Sequence, residues 1–176
     1  RRIRTLEGFH VTQIACGKAH TIVRTRGGEV YTFGNPDDNN QCVLGRNGDA
    51  MTPFPVEGSL KSQNVVMVAA GSRHNLVCTL EGKAYAWGFN DSGQLGDGTL
   101  NSKKTPIPIR VSTDVKVSHV ACGEKHSLIA TRNGGVFSFG CGENGQLGHG
   151  SKSNETLPRA IVGLRDREVT QVAAGL

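Results

Sequence analysis

The strongest constraint on this 176-residue chain is an internal period. Ala15-Cys16-Gly17 recurs as Ala69-Ala70-Gly71, Ala121-Cys122-Gly123 and Ala173-Ala174-Gly175, with the glycines 54, 52 and 52 residues apart. A period of this length marks a repeat architecture, and it has to be read before anything else. Each whole copy continues in the same way. Gly17-Lys18-Ala19-His20 matches Gly71-Ser72-Arg73-His74 and Gly123-Glu124-Lys125-His126. An apolar stretch ends at Thr25, Thr79 or Thr131, and a turn follows at Gly27-Gly28, Glu81-Gly82 or Asn133-Gly134. Then come Val30-Tyr31-Thr32-Phe33-Gly34, Ala84-Tyr85-Ala86-Trp87-Gly88 and Val136-Phe137-Ser138-Phe139-Gly140. Two copies run on into Gln94-Leu95-Gly96-Asp97-Gly98 and Gln146-Leu147-Gly148-His149-Gly150; the first has Leu44-Gly45-Arg46-Asn47-Gly48 after three extra residues. Residues 1–17 also align without a gap on 159–175, so the chain holds three units and a little over.

The unit reads as β-structure. Gly27-Gly28 and Asn133-Gly134 are two-residue turns that tolerate positive φ, a strong local hairpin signal. The turn at Asn133-Gly134 joins runs such as 126–131 and 135–139, where aromatic and β-branched residues are frequent. A third strand precedes them, at 65–69 or 116–121. A fourth, short one follows a Pro-x-x-aliphatic signature at 53–56, 106–109 and 158–161. No stretch carries a 3.6-residue period with caps. Four short strands repeated every 52 residues describe a propeller blade. The predicted repeats cover approximately 13–66, 67–118 and 119–170, with 171–176 opening a fourth. The Ala-x-Gly strands are expected at the central axis, where small side chains are required. One side of the aromatic alternation (Tyr31, Phe33, Tyr85, Trp87, Phe137, Phe139) is expected to fill the space between blades. The 24 glycines, roughly twice the average share, then belong to defined turns.

With these motifs in view, the sequence resembles the regulator of chromosome condensation repeat. The residues that carry the likeness are Val120-Ala121-Cys122-Gly123 with His126-Ser127-Leu128, Gly135-Val136-Phe137-Ser138-Phe139-Gly140, and Asn144-Gly145-Gln146-Leu147-Gly148. The resemblance spans essentially the whole chain. It implies an all-β, seven-bladed β-propeller, which at this period needs about 364 residues. This chain is therefore read as an incomplete arc of about three four-stranded blades. An open arc exposes two apolar blade faces. Either the remaining blades lie on sequence outside these residues, which is favoured, or copies associate.

Most conspicuous residues have a structural reading. His20, His74 and His126 share one phase, so the blades spread them around a ring instead of gathering them as metal ligands. Each is expected to bond backbone near its tight glycine turn, and Gly17, Gly34, Gly71, Gly88, Gly123 and Gly140 are assigned as repeat-defining positions. Cys16 and Cys122 share a phase with Ala70 and Ala174 and read as small packing residues. The five cysteines contain no C-x-x-C, which argues against a disulfide framework or a zinc ribbon and for a reducing compartment, cytoplasmic or nuclear. Gly140-Cys141-Gly142-Glu143-Asn144-Gly145 matches a dinucleotide fingerprint but lacks the helix that chemistry needs. No cofactor and no metal is assigned. No apolar run is long enough to span a membrane, and the chain begins with Arg rather than Met, as a piece of a longer protein would. The net charge of +5 comes from scattered residues, which argues against a nucleic-acid footprint.

Function is sought where the repeat is broken. Asn35-Pro36-Asp37-Asp38-Asn39-Asn40-Gln41 lengthens one blade connection, and the loop from Thr99 to Pro106 carries Lys103-Lys104. Asp37, Asp38, Asn39, Lys103 and Lys104 are thus the candidate partner-binding residues, since loops on a rigid scaffold carry binding. The expectation is a non-enzymatic protein-interaction, scaffold or regulatory module of a larger intracellular protein. The resemblance also implies an alternative, guanine-nucleotide exchange on a Ran-like small GTPase with a chromatin association. No segment here matches the protruding wedge that exchange uses. A light-sensing propeller would need clustered tryptophans, and only Trp87 is present.

Overall fold

A computed structural model describes residues 2–34 and 41–175. Among these described residues, twelve strands form three antiparallel four-stranded sheets in strict chain order. The first sheet holds β1 (Val11–Cys16), β2 (His20–Thr25), β3 (Val30–Gly34) and β4 (Phe54–Pro55). The second holds β5 (Val65–Ala70), β6 (His74–Thr79), β7 (Ala84–Gly88) and β8 (Lys103–Pro108), and the third β9 (Val117–Cys122), β10 (His126–Thr131), β11 (Val136–Gly140) and β12 (Glu155–Ala160). Each sheet is a blade. The expected all-β propeller arc of three blades is what the chain forms.

Two details differ from the sequence expectation. The β2–β3, β6–β7 and β10–β11 hairpins close through three-residue loops, and only their last glycine has positive φ: Gly28 at 81°, Gly82 at 82° and Gly134 at 81°. Its N–H returns to Thr25, Thr79 or Thr131, the pattern of a turn followed by one left-handed residue. The second difference concerns the outer strands. In the second and third blades they begin three residues before the proline, at Lys103 and Glu155, because β8 and β12 bulge and pair onward to Gly88 and Gly140.

The core lies between the blades. Ile22, Val30, Val56 and Leu60 of the first pack on Val65, Val68, Val77, Tyr85 and Trp87 of the second. Leu76, Ala84, Ala86, Leu95 and Ile109 then pack on Val117, Val120, Ile129 and Phe139 of the third. Strand alternation produces this division: on β7, Tyr85 and Trp87 point back to the first blade while Ala84 and Ala86 face forward. The innermost strands end on a channel lined by Cys16, Gly17, Ala70, Gly71, Cys122, Gly123, Ala174 and Gly175. Small residues belong there because neighbouring backbones meet; a side chain on Gly71 would collide with the Gly123 carbonyl.

Candidate protein-interaction rim

The rim begins as three copies of one turn. Gly17, Gly71 and Gly123 donate their N–H groups to the carbonyls of His20, His74 and His126, at 2.8, 2.8 and 2.9 Å. Lys18 N–H bonds the Ser72 carbonyl at 3.1 Å, and Ser72 N–H bonds the Glu124 carbonyl at 3.3 Å, so the turns are tied to one another across the blades. Gly34, Gly88 and Gly140 sit opposite the three histidines in the β-ladders. There the backbones approach too closely for a side chain.

Two of the three histidine rings bond side chains of the following blade, where a backbone partner was expected. His20 Nε2 lies 2.9 Å from Asn75 Oδ1, and Asn75 Nδ2 donates to the Val43 carbonyl at 2.8 Å. His74 Nε2 lies 3.0 Å from Ser127 Oγ, which donates to the Gln94 carbonyl at 2.8 Å. Both oxygens therefore accept a hydrogen bond from Nε2–H, which places the hydrogen of the neutral ring on Nε2. Burial lowers the pKa of His20 and His126, and pushes that of His74 down to about 3. The charges of His20 and His126 act on His74 in the same direction. Among the described residues no group of three His, Cys, Asp or Glu side chains could hold a metal ion. Asn75 and Ser127 escaped the sequence reading. Their signal was a polar residue at one phase, with Thr21, heading an otherwise apolar strand.

The exposed side chains at the rim are charged. Arg73 stacks its guanidinium 3.8 Å from the centre of the Phe89 ring. Lys125 Nζ lies 3.4 Å from Asp91 Oδ2, and Gln94 Nε2 donates to the other oxygen at 3.0 Å. Burial alone would raise the Asp91 pKa, but Gln94 and Lys125 outweigh it and hold the carboxyl low. With Lys18, Ser72 and Glu124 these residues line one shallow cleft across the blades.

The residues selected for their loops fare differently. Asp37, Asp38 and Asn39 lie outside the described residues. Lys103 and Lys104 open β8 instead of standing in a loop, as the bulged pairing requires. Lys103 Nζ is 3.2 Å from Asp97 Oδ2, and Asp97 also accepts from Thr99 N–H, Thr99 Oγ1 and Asn90 Nδ2. Lys103 is thus committed to its own blade, while Lys104 is exposed.

Three joined four-stranded blades with their turns gathered round an axis define a propeller arc, and comparison with known proteins gives its kind. Regulator of chromosome condensation (RCC1) repeats match residues 27–78, 81–130 and 133–176, and a second description of that repeat matches 11–41, 65–94 and 117–146. The chain belongs to the RCC1 repeat family. It is 34% identical over 175 residues to the human probable E3 ubiquitin-protein ligase HERC3, covering 99% of this chain and 17% of the relative. It is 37% identical to mouse HERC4 over 99% of this chain and 16% of that one. Against the Arabidopsis thaliana ultraviolet-B receptor UVR8 the figures are 34% identity, 93% and 37%. Among solved structures, the crystal structure of Kap60 bound to yeast RCC1 (Prp20) superposes with a TM-score of 0.81 at 25% identity, over 99% of this chain and 42% of that chain. The chain therefore spans about a sixth of the first ligase relatives and about two-fifths of the solved propeller.

Proposed function

We propose that this arc is a non-enzymatic protein-interaction module of a longer intracellular protein, and that it binds through the rim of Gly-x-x-His turns and the loops after β7 and β11. The supporting observation is how the polar groups are used. His20, His74, Asn75, Ser127, Asn90 and Asp97 are consumed by bonds that hold blades and loops together. Lys18, Arg73, Asp91, Glu124 and Lys125 stand at the surface of one cleft. A rigid scaffold carrying adjustable charged loops is what protein recognition needs, whereas catalysis needs groups converging on one reacting atom. The ligase names of the relatives belong to chains about six times longer, so a ligase or other activity of the whole protein is not assigned to this segment. The test is a charge-reversed rim, Lys18→Glu with Arg73→Glu and Lys125→Glu, in the full-length protein. Unchanged thermal stability with loss of its co-purifying proteins supports the reading. Full retention of every partner overturns it.

The family resemblance also motivates nucleotide exchange. Every strand among the described residues belongs to one of the three blade sheets, and no additional hairpin projects from them. Exchange is therefore the second reading. It is tested by the rate of GDP release from a Ran-like GTPase, for which no acceleration is expected.

A further inference from the structure

Three Asn-Gly pairs stand in this chain, Asn47-Gly48, Asn133-Gly134 and Asn144-Gly145. In such a pair the asparagine side chain can react with the next backbone nitrogen, because glycine leaves that nitrogen uncrowded and its backbone adaptable. The fold treats the three differently. Gly134 is buried, and its N–H donates to the Thr131 carbonyl at 3.0 Å. The Asn133 side chain is held as well, its Oδ1 accepting from the Thr131 hydroxyl. Gly145 is exposed, but its N–H donates to the Gly142 carbonyl at 2.7 Å.

The first pair has none of these restraints. Asn47 and Gly48 are both exposed, and among the described residues nothing accepts from the Gly48 N–H or bonds the Asn47 side chain. A Cβ on Gly48 would meet no atom within 4 Å. The loop around the pair is nevertheless anchored on both sides. Gly45 is buried against Trp87 of the second blade. Arg46 is only 4% exposed; its Nη2 donates to the Thr32 and Thr52 carbonyls, both at 3.0 Å, and its Nη1 to the Asn47 carbonyl at 3.2 Å. Asp49 accepts from the Met51 N–H and the Thr52 hydroxyl. Asn47 and Gly48 are thus an unrestrained pair inside a clamped loop. They directly follow a buried guanidinium that has no ion pair among the described residues.

We propose that Asn47 is a site of spontaneous modification, converting in the folded protein to aspartyl and isoaspartyl forms while Asn133 and Asn144 are protected. The Gly48 nitrogen loses its proton to solvent and attacks Asn47 Cγ. The N–Cγ bond forms, the bond to the side-chain amide nitrogen breaks, and that nitrogen takes a proton from solvent and leaves as ammonia. Water then opens the five-membered imide at either carbonyl. One opening leaves aspartate. The other leaves isoaspartate, whose main chain runs through Cγ and is one carbon longer. Both products add one negative charge. The longer chain also displaces the carbonyl that Arg46 Nη1 bonds and lengthens the loop that Arg46 closes on Thr52, so the isoaspartyl form loosens the clamp. The inference is independent of the rim reading.

The experiment incubates the full-length protein in mildly alkaline buffer, folded and in urea. The three Asn-Gly peptides are followed by mass spectrometry, with enzymatic methylation of isoaspartyl carboxylates as a second readout. In the folded protein Asn47 is expected to react about tenfold faster than Asn133 and Asn144, whose glycine N–H bonds must first open. In urea the three rates are expected to lie within about threefold of one another, since the protection belongs to the folded state. Equal rates in the folded protein, a faster Asn133 or Asn144, or a preference for Asn47 that survives undiminished in urea would each overturn the proposal. The isoaspartyl fraction, separated by its extra negative charge, is expected to show a lower thermal midpoint than unreacted protein. An unchanged midpoint would overturn the loosening of the Arg46 clamp.

Discussion

His74 shows how one side chain can hold two blades. Its ring is fully buried, packs on Gly71 and bonds Ser127. The His74→Ala variant leaves a cavity and an unmatched hydroxyl, for an expected loss of about 2–4 kcal/mol in urea unfolding. The same burial makes stability pH-dependent. Between its ordinary value near 6.5 and about 3, His74 is neutral when folded and protonated when unfolded. Unfolding takes up a proton in that window, so the contribution is complete above the unfolded value and is lost as pH falls towards 3. His20 and His126, also lowered, add in the same sense. Urea midpoints measured from pH 7 to pH 4 should fall, and less steeply in His74→Gln than in the wild type.

At the scale of the element, each blade solves the loop before its outer strand with different residues. In the second blade Asn90 and Asp97 do it. Asn90 donates to Asp97 and to the Thr99 carbonyl, and its Oδ1 accepts from Leu95 N–H. In the third, Gly142 replaces Asn90 and donates its N–H to Asn154 Oδ1, while His149 replaces Asp97 and bonds Ser138. In the first, Arg46 takes the phase of Asp97 and bonds the Thr32 and Thr52 carbonyls. Asp97→Ala removes several bonds at once and should cost about 1–3 kcal/mol. Lys103→Ala removes one partly exposed ion pair and should cost about 0.5 kcal/mol or less. Thermal unfolding of the two variants checks the order; an equal loss would mean that the ion pair, and not the loop network, carries the stability.

The whole molecule decides what identical repeat positions are worth. Ile14, Val68 and Val120 share one phase, and among the described residues only the latter two have a blade packed against them. Introducing Asp at Val68 or Val120 buries an unpaired carboxylate and should cost more than about 3 kcal/mol or unfold the chain. Ile14→Asp should shift the unfolding midpoint of this 176-residue arc little, Ile14 being 60% exposed in it. Comparable losses at all three positions would show that the first blade is covered.

The sequence by itself determined the period, the strand-forming runs, the glycine turns and therefore the blade, because alternation, turn chemistry and repetition are local properties of the chain. It marked His20, His74 and His126 as structural, since equivalent repeat positions cannot converge on one point. Only the tertiary structure decided what those histidines bond, because Asn75 and Ser127 lie 55 and 53 residues away, in the next blade. It likewise moved Lys103 from a loop into an ion-paired strand: the pairing of β8 with β7 extends past a bulge that proline spacing does not reveal. The rim of Lys18, Arg73, Asp91, Glu124 and Lys125 was invisible in the chain for the same reason. Its members occupy unremarkable loop positions in three repeats, and they become one surface only when the blades stack about a common axis.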